Sequence, residues 1–114
     1  MPHLVIEYAE KLEESISIPA LVSAAQQAMQ SSGLFAPHTI KTRATPYRHF
    51  VAGDKGGSFL HAEVRLFEGR SDRERESLSA TVFNTLCQFA EGVPAVTVEV
   101  REVDPSCYSK RLPF

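Results

Sequence analysis

Residues 59–78 read FLHAEVRLFEGRSDRERESL, and they contain the signals of a strand, a turn and a helix start in direct succession. The first part alternates in polarity, with apolar side chains at Leu60, Ala62, Val64 and Leu66. A period of two is typical of a strand with one buried face. Ser71 and Glu74 then have the S-x-x-E spacing of a capping box, which marks a helix N-terminus. The stretch therefore predicts a strand at 59–67 and a helix that begins near residue 72.

The predicted helix continues to about residue 90 and is followed by another strand. Its apolar side chains lie on one stripe, formed by Leu78, Val82, Leu86 and Phe89. Gly92 can end the helix because glycine readily adopts the left-handed conformation found at helix C-termini. From residue 95 to 104, valines at every second position alternate with polar residues, which predicts a strand with two unlike faces.

The first half of the chain has the same order of signals. Residues 3–8 are largely β-branched or apolar and predict a strand. A helix is predicted to start at Ile18-Pro19, because proline is tolerated in a first helical turn, and to stop at Gly33. A weaker alternation at 38–48 predicts a second strand, which Pro46 is expected to interrupt.

The chain therefore consists of two similar strand–helix–strand units, at about 2–50 and 58–104, followed by a tail at 105–114. A glycine-rich segment, 53–57, separates the units. Because crossovers between parallel strands are right-handed, both helices should cover the same face of one four-stranded mixed sheet. With 114 residues in all, we predict a single α+β domain spanning residues 1–114.

The other face of the predicted sheet lacks a helix. It carries glutamates and arginines on neighbouring strands, including Glu63, Arg65, Glu99 and Arg101. Such residues can pair across an interface between copies of a chain. We expect self-association through this face, and a solvated sheet surface is the alternative.

Composition argues against several kinds of partner. The formal net charge is −2, and basic residues are interspersed with acidic ones, so no nucleic-acid partner is expected. Neither a secretory signal nor a run of about 18 apolar residues occurs, so a cytoplasmic protein without membrane contact is expected. Cys87 and Cys107 form no CxxC pair and are expected to be free thiols.

Motifs for metals and nucleotides are also missing from the sequence. The four histidines have no ligand spacing with a partnering carboxylate, and neither GxxxxGK[ST] nor GxGxxG occurs. No metal and no cofactor are therefore expected.

Pro2 stands directly after Met1 at the start of the first predicted strand. A small second residue permits removal of the initiator methionine, which would leave a secondary amine. The reference pKa of a chain amino group is about 7.7 to 8.0, and desolvation or a nearby cation lowers it. Such a nitrogen would be unprotonated near neutral pH and could act as a general base. Many unrelated proteins also begin with Met-Pro, so other motifs must support this interpretation.

Motifs along nearly the whole chain resemble two related families. The second half of the chain resembles the βαβ unit of the 4-oxalocrotonate tautomerase family at three places: FEGRSD at 67–72, VP at 93–94 and VTVEV at 96–100. In the 5-carboxymethyl-2-hydroxymuconate isomerase family, two such units are fused. The first half of the chain resembles this family at four places: MPHLVIE at 1–7, IPAL at 18–21, SGLF at 32–35 and IKTR at 40–43. The segment 44–58 matches least.

The resemblance implies a cofactor-independent isomerase of the tautomerase superfamily, assembled as a homotrimer whose sheets face inward. In such enzymes the N-terminal proline takes a proton from a dienol hydroxyl and returns it to a distant carbon. Only Pro2 can serve here, because the second unit has Leu60 at the equivalent position and an internal residue offers no free amine.

The resemblance also implies which residues bind the substrate. Arg70 matches the arginine of the Gly-Arg-Ser motif, and a guanidinium can bind a carboxylate through two hydrogen bonds. From the residues alone, a solvated charge at a helix start is the alternative for Arg70. Where the resembling isomerase has arginines flanking a serine, this chain reads Lys41-Thr42-Arg43. Arg43 is therefore the preferred second ligand of a carboxylate, and Lys41 the alternative.

The implied substrate is a small unsaturated dicarboxylate or tricarboxylate enol from aromatic-compound breakdown, such as 5-carboxymethyl-2-hydroxymuconate. Glu99 departs from the pattern, since the single-unit tautomerase has an arginine there. Two other functions stay open at this point. One is a tautomerase with a different keto–enol substrate, and the other is a non-catalytic oligomeric α+β module that binds a small acid or a protein partner.

Overall fold

Four strands form one mixed sheet in the computed structural model, which describes residues 1–113. The strands are β1 (His3–Ala9), β2 (Lys41–Tyr47), β3 (Phe59–Phe67) and β4 (Ala95–Val103). Their order across the sheet is β2-β1-β3-β4. The outer pairs, β1 with β2 and β3 with β4, are parallel, whereas the central pair is antiparallel. Each parallel pair belongs to one of the two predicted units.

One helix connects the two strands of each parallel pair. Helix α1 (Ile18–Ser31) connects β1 to β2, and helix α2 (Asp72–Phe89) connects β3 to β4. The capping box of α2 is confirmed. The Glu74 backbone N–H donates to Ser71 Oγ over 3.1 Å, and the Ser71 backbone N–H donates to Glu74 Oε1 over 2.9 Å. The Ser17 hydroxyl caps α1 in a similar way, because it accepts from the Ala20 backbone N–H. Within residues 1–113, neither helix is long and apolar enough to cross a membrane.

The hydrophobic core lies between the helices and one face of the sheet. From the strands it takes the even-numbered residues Leu4, Ile6, Leu60, Ala62, Val64 and Leu66. From the helices it takes Leu21, Ala25, Met29, Leu78, Val82 and Leu86. Because side chains of both helices pack against the same face, the prediction of two helices on one side of the sheet is confirmed. Phe89, predicted to continue the buried stripe, is only partly buried.

Strand β2 differs from its predicted form. It begins at Lys41, after a 3-10 turn at Pro37–Thr39, and it continues through Pro46 to Tyr47. The sequence pattern instead predicts an interruption at Pro46. The reason is that β2 is an edge strand, where a residue without a backbone N–H need not break the pairing.

The face of the sheet away from the helices carries the odd-numbered residues of all four strands, and we call it the open face. It is polar: His61 Nε2 lies 3.1 Å from Glu99 Oε1, Arg101 Nε lies 3.1 Å from Glu99 Oε2, and Arg65 pairs with Glu63. The sequence predicts that these glutamates and arginines pair between copies of the chain. In the structure they pair within one copy. The predicted tail, 105–114, continues from β4 toward this face, and its last residue, Phe114, lies outside the described residues.

Candidate active site

The sheet topology brings four chain segments to one end of the sheet. His3 pairs with Lys41 on one side and with Arg65 on the other, and Arg65 pairs with Arg101. The starts of β1 and β2 therefore meet the ends of β3 and β4. The amino terminus, the turn before α2 and the tail all leave the sheet at this end.

Pro2 lies at this end, directly before β1, and is fully buried. Its carbonyl oxygen accepts a hydrogen bond of 3.2 Å from the Lys41 backbone N–H. This bond extends the pairing of β1 with β2 by one residue. The backbone of Pro2 is therefore held by the sheet rather than free in solution.

Met1 and Arg70 line the same pocket, which has a volume of about 160 Å³. The other lining residues are Phe35, Leu66, Phe67 and Glu68. The pocket thus combines an amino terminus, one guanidinium, one carboxylate and two aromatic rings. Two of the predicted site features, the chain start and Arg70, are brought together although they are far apart in sequence.

Arg70 is held in place by the turn that follows α1. Its Nη2 donates to the Leu34 carbonyl oxygen over 2.6 Å, and its guanidinium carbon lies 5.4 Å from the centroid of the Phe35 ring. On its own side it is fixed between Gly69 and the capped start of α2. Gly69 has φ +116°, a conformation that side chains with a Cβ rarely adopt, so glycine is required for the chain to turn there. Residues of the first unit therefore orient the arginine of the second.

Lys41 and Arg43, the two candidates for a second carboxylate ligand, make different contacts at this end of the sheet. Lys41 Nζ donates to the Thr39 carbonyl oxygen over 2.7 Å, beside the amino terminus. Arg43 lies on the open face, where its Nη1 donates to His3 Nδ1 over 3.0 Å. Arg43 does not line the pocket of Met1 and Arg70.

The surroundings favour a neutral amino terminus. Partial burial lowers the pKa of the Met1 amino group below its ordinary value of 8.0, and the charges of Lys41 and Lys110 lower it further. Burial, followed by the charges of Arg43 and Lys41, also lowers the pKa of His3. Since Nδ1 of His3 accepts from Arg43, the ring proton is on Nε2, which donates to the Tyr108 hydroxyl over 2.9 Å. His3 is therefore neutral and joins β2 to the tail.

Some cations around this end of the sheet have carboxylate partners and others do not. Arg65 and Arg101, on the open face, form ion pairs with glutamates, and Arg75 on α2 pairs with Asp72 and Glu102. Within residues 1–113, no carboxylate forms an ion pair with any of four cations, namely Arg70, Lys41, Arg43 and Lys110. Positive charge that the protein does not neutralise attracts anionic ligands. The electrostatics of this end of the sheet suit a small molecule with carboxylates.

Several residues at the site were not identified from the sequence. Phe35 and Phe67 line the pocket, and the Tyr108 ring meets Phe67 edge to face with centroids 5.3 Å apart. The tail packs against this end of the sheet through Tyr108. Lys110 carries no signal in the sequence. No group of three or more His, Cys, Asp or Glu side chains in the described part of the chain is arranged to hold a metal.

Solved structures with low sequence identity share this fold. The crystal structure of a 5-carboxymethyl-2-hydroxymuconate isomerase from Deinococcus radiodurans R1 has a TM-score of 0.85 at 20% identity, covering 96% of this chain and 88% of that one. A 5-carboxymethyl-2-hydroxymuconate delta-isomerase has a TM-score of 0.81 at 19% identity, covering 98% and 88%. A fused 4-OT protein described as a symmetric trimer has a TM-score of 0.75 at 17% identity, covering 91% and 87%. The fold is therefore that of the tautomerase superfamily, as predicted.

A comparison of the sequence with family profiles is more specific. The profile of 5-carboxymethyl-2-hydroxymuconate isomerase matches residues 2–113, and the chain belongs to this family. A search of curated proteins finds no match. The enzyme type predicted from the motifs is confirmed. This finding argues against the alternative, a non-catalytic module.

Proposed function

We propose that this isomerase moves a proton and a double bond in an unsaturated enol carboxylate such as 5-carboxymethyl-2-hydroxymuconate, with the Pro2 nitrogen as general base. The observation that carries the proposal is the pocket that Met1 shares with Arg70. Around it, cations stand without carboxylate partners in the described part of the chain. Once Met1 is removed, the proposed base would lie next to this pocket and its anion-binding group.

Removal of Met1 is the step that creates the base. While Met1 is attached, the Pro2 nitrogen is an amide and cannot accept a proton. Because Met1 itself lines the pocket, its removal would free this nitrogen and enlarge the pocket beside Arg70 at the same time. The cations that lower the pKa of the Met1 amine would act in the same direction on the Pro2 amine.

The reaction needs no external redox partner or cofactor. The Pro2 nitrogen takes the proton of the enol hydroxyl, and the oxygen forms a carbonyl as the double bonds shift along the carbon chain. The distant carbon at the end of the conjugated system then takes the proton from the Pro2 nitrogen, which returns to its neutral state. Negative charge that develops on the substrate is stabilised by Arg70, which binds a carboxylate at the carbonyl end.

Two further cations have separate roles in this proposal. Arg43 is exposed on the open face and binds the second carboxylate of the substrate. Lys41 is the alternative for that contact, and in either case its charge helps to keep the amine deprotonated. We also propose that the protein is a homotrimer with its open faces inward. A cytoplasmic location stays a prediction from the sequence.

Two altered proteins test the base, after mass measurement has verified that the wild-type chain has lost Met1. A chain with an uncleaved N-terminal extension has an amide at Pro2 and should lose at least about 10²-fold in kcat. Pro2→Ala should lower kcat on the same scale, because the ring no longer orients the amine. Pro94→Ala, at an exposed proline directly before β4 and at the opposite end of the sheet, is the control. Full kcat in the extended chain would exclude Pro2 as the base.

The pH profile gives an independent measure of the same group. A protonated amine cannot accept the enol proton. The value of kcat/KM should therefore be at its maximum above the pKa of the amine and should fall as the pH drops through that pKa. Because burial and nearby cations lower the pKa, the fall should lie below pH 8.0, the ordinary value for a chain amine. The measurement is kcat/KM for a dienol substrate, followed by its absorbance, across the neutral and acidic range.

A further inference from the structure

The tail after β4 begins with a hydrogen-bonded turn. A 3-10 turn at Pro105–Cys107 reverses the chain, and the Asp104 carboxylate accepts from the Ser106 backbone N–H over 2.9 Å. The Cys107 backbone N–H donates to the Asp104 carbonyl oxygen, also over 2.9 Å. These bonds direct the following residues back toward the end of the sheet where β1 begins.

Tyr108 fixes the tail to the candidate site in two ways. Its ring meets the ring of Phe67 at an interplanar angle of 86°, the edge-to-face arrangement that aromatic pairs favour. Its hydroxyl accepts the hydrogen bond from His3 Nε2. One contact is to a residue that lines the pocket, and the other is to the residue that follows Pro2.

Lys110 follows this anchor at a distance of two residues. Its Nζ lies 5.9 Å from the centroid of the Phe67 ring, and Phe67 lines the pocket together with residues that include Met1, Glu68 and Arg70. Its charge is close enough to the amino terminus to lower the pKa of the Met1 amine. Among residues 1–113, no carboxylate forms an ion pair with Lys110. An ammonium that pairs with no carboxylate of residues 1–113 therefore lies near the pocket.

We propose that Lys110 binds a carboxylate of the substrate and selects for a ligand with three carboxylates over one with two. Arg70, in the pocket, and Arg43, on the open face, account for two carboxylates, and the ammonium on the tail supplies a third positive group beside the pocket. Tyr108 is a positioning residue that holds Lys110 there. The identity of the substrate rests on the proposed function, but the presence of a third anion-binding group does not.

The test compares two neighbouring basic residues of the tail, Lys110→Met and Arg111→Met. The substrates are 5-carboxymethyl-2-hydroxymuconate and 2-hydroxymuconate, which lacks the carboxymethyl group. Lys110→Met should raise KM for the tricarboxylate about tenfold, the scale of one hydrogen bond between charged groups, and should leave KM for the dicarboxylate within about twofold. Arg111→Met should change neither. An unchanged KM for the tricarboxylate, or an equal rise for both substrates, would overturn the proposal.

Binding without turnover separates this proposal from the proposed function. The probes are propane-1,2,3-tricarboxylate and glutarate, titrated into wild-type protein and Lys110→Met by calorimetry. A preference for the tricarboxylate that Lys110→Met abolishes would support the role of Lys110 even if no enol substrate is turned over. Equal affinities in the two proteins would refute it even if turnover is normal.

The positioning role of Tyr108 has its own readout. Tyr108→Phe keeps the ring against Phe67 and removes the hydroxyl that meets His3. It should raise KM for the tricarboxylate in the wild-type background and add nothing in the Lys110→Met background, because it acts through Lys110. Independent, additive effects of the two substitutions would exclude this role.

Discussion

Arg70 is oriented before any substrate arrives. The Leu34 carbonyl oxygen accepts a hydrogen bond from its Nη2, and its guanidinium carbon lies 5.4 Å from the centroid of the Phe35 ring. A guanidinium has five N–H donors in a fixed planar arrangement, so one can be used by the protein while others remain for a carboxylate. A group that is already in place binds a transition state with little reorganisation. The protein has thus used a neutral backbone group, rather than a carboxylate, to fix its cation.

Arg70→Lys tests this use of the guanidinium. The ammonium keeps the charge but cannot bind a carboxylate through two parallel hydrogen bonds. We expect kcat/KM for the enol substrate to fall by about 10- to 100-fold, the value of one or two hydrogen bonds between charged groups. Arg73→Lys, at an exposed arginine in the first turn of α2, should leave kcat/KM unchanged. Similar values in the two variants would show that only the charge of Arg70 matters.

At the scale of elements, the start of α2 decides where Arg70 points. The capping box satisfies backbone N–H groups that would otherwise lack partners, and it fixes the first turn of the helix directly after the arginine. The motif was recognisable from the sequence because both hydrogen bonds join residues three positions apart. By contrast, the path of β2 through Pro46 was not predicted, because the tolerance of proline depends on β2 being an edge strand.

Ser71→Ala should therefore destabilise the protein and loosen the site together. The loss of an N-cap hydroxyl costs about 1 kcal/mol of the free energy of unfolding, which urea denaturation can measure. Ser77→Ala, at an exposed serine within the same helix, is the matched control, and it should be neutral or slightly stabilising because alanine favours helix. If both variants unfold at the same urea concentration, the capping box contributes nothing to stability.

At the scale of the whole molecule, the open face is the large surface that neither helix covers. Val5 lies near its centre, between Arg43 of β2 and Glu63 of β3. The face is polar but already pairs much of its charge within one chain. A neighbouring copy would therefore meet a surface whose charges are largely compensated, which lowers the cost of covering it.

Val5→Asp tests whether copies of the chain assemble through this face. A carboxylate in the middle of a covered face would lose its hydration without gaining a partner, so the proposed trimer should dissociate. Val51→Asp introduces the same charge at a residue that is 92% exposed in the loop after β2, and it should not change the number of chains in the assembly. Sedimentation equilibrium gives the mass of each variant. A Val5→Asp protein that remains a trimer would show that assembly uses another surface.

The amino-acid sequence by itself determined the elements and the class of the protein. The period of two in β3 and β4, the capping box of α2 and the motifs at 67–72 and 40–43 depend on residues close in the chain, so they could be interpreted without a structure. The family, the sidedness of the sheet and the candidate residues Pro2 and Arg70 followed from them.

Only the tertiary structure decided what surrounds those residues. The antiparallel pairing of β1 with β3 brings the start of the chain beside the end of β3, and this places Met1 with Arg70 and Phe67. The same arrangement brings Tyr108 to His3, 105 residues away in sequence, and with it Lys110. Contacts of this kind leave no periodic or local pattern in a sequence, because each depends on where the packed sheet ends and not on the neighbours of either residue.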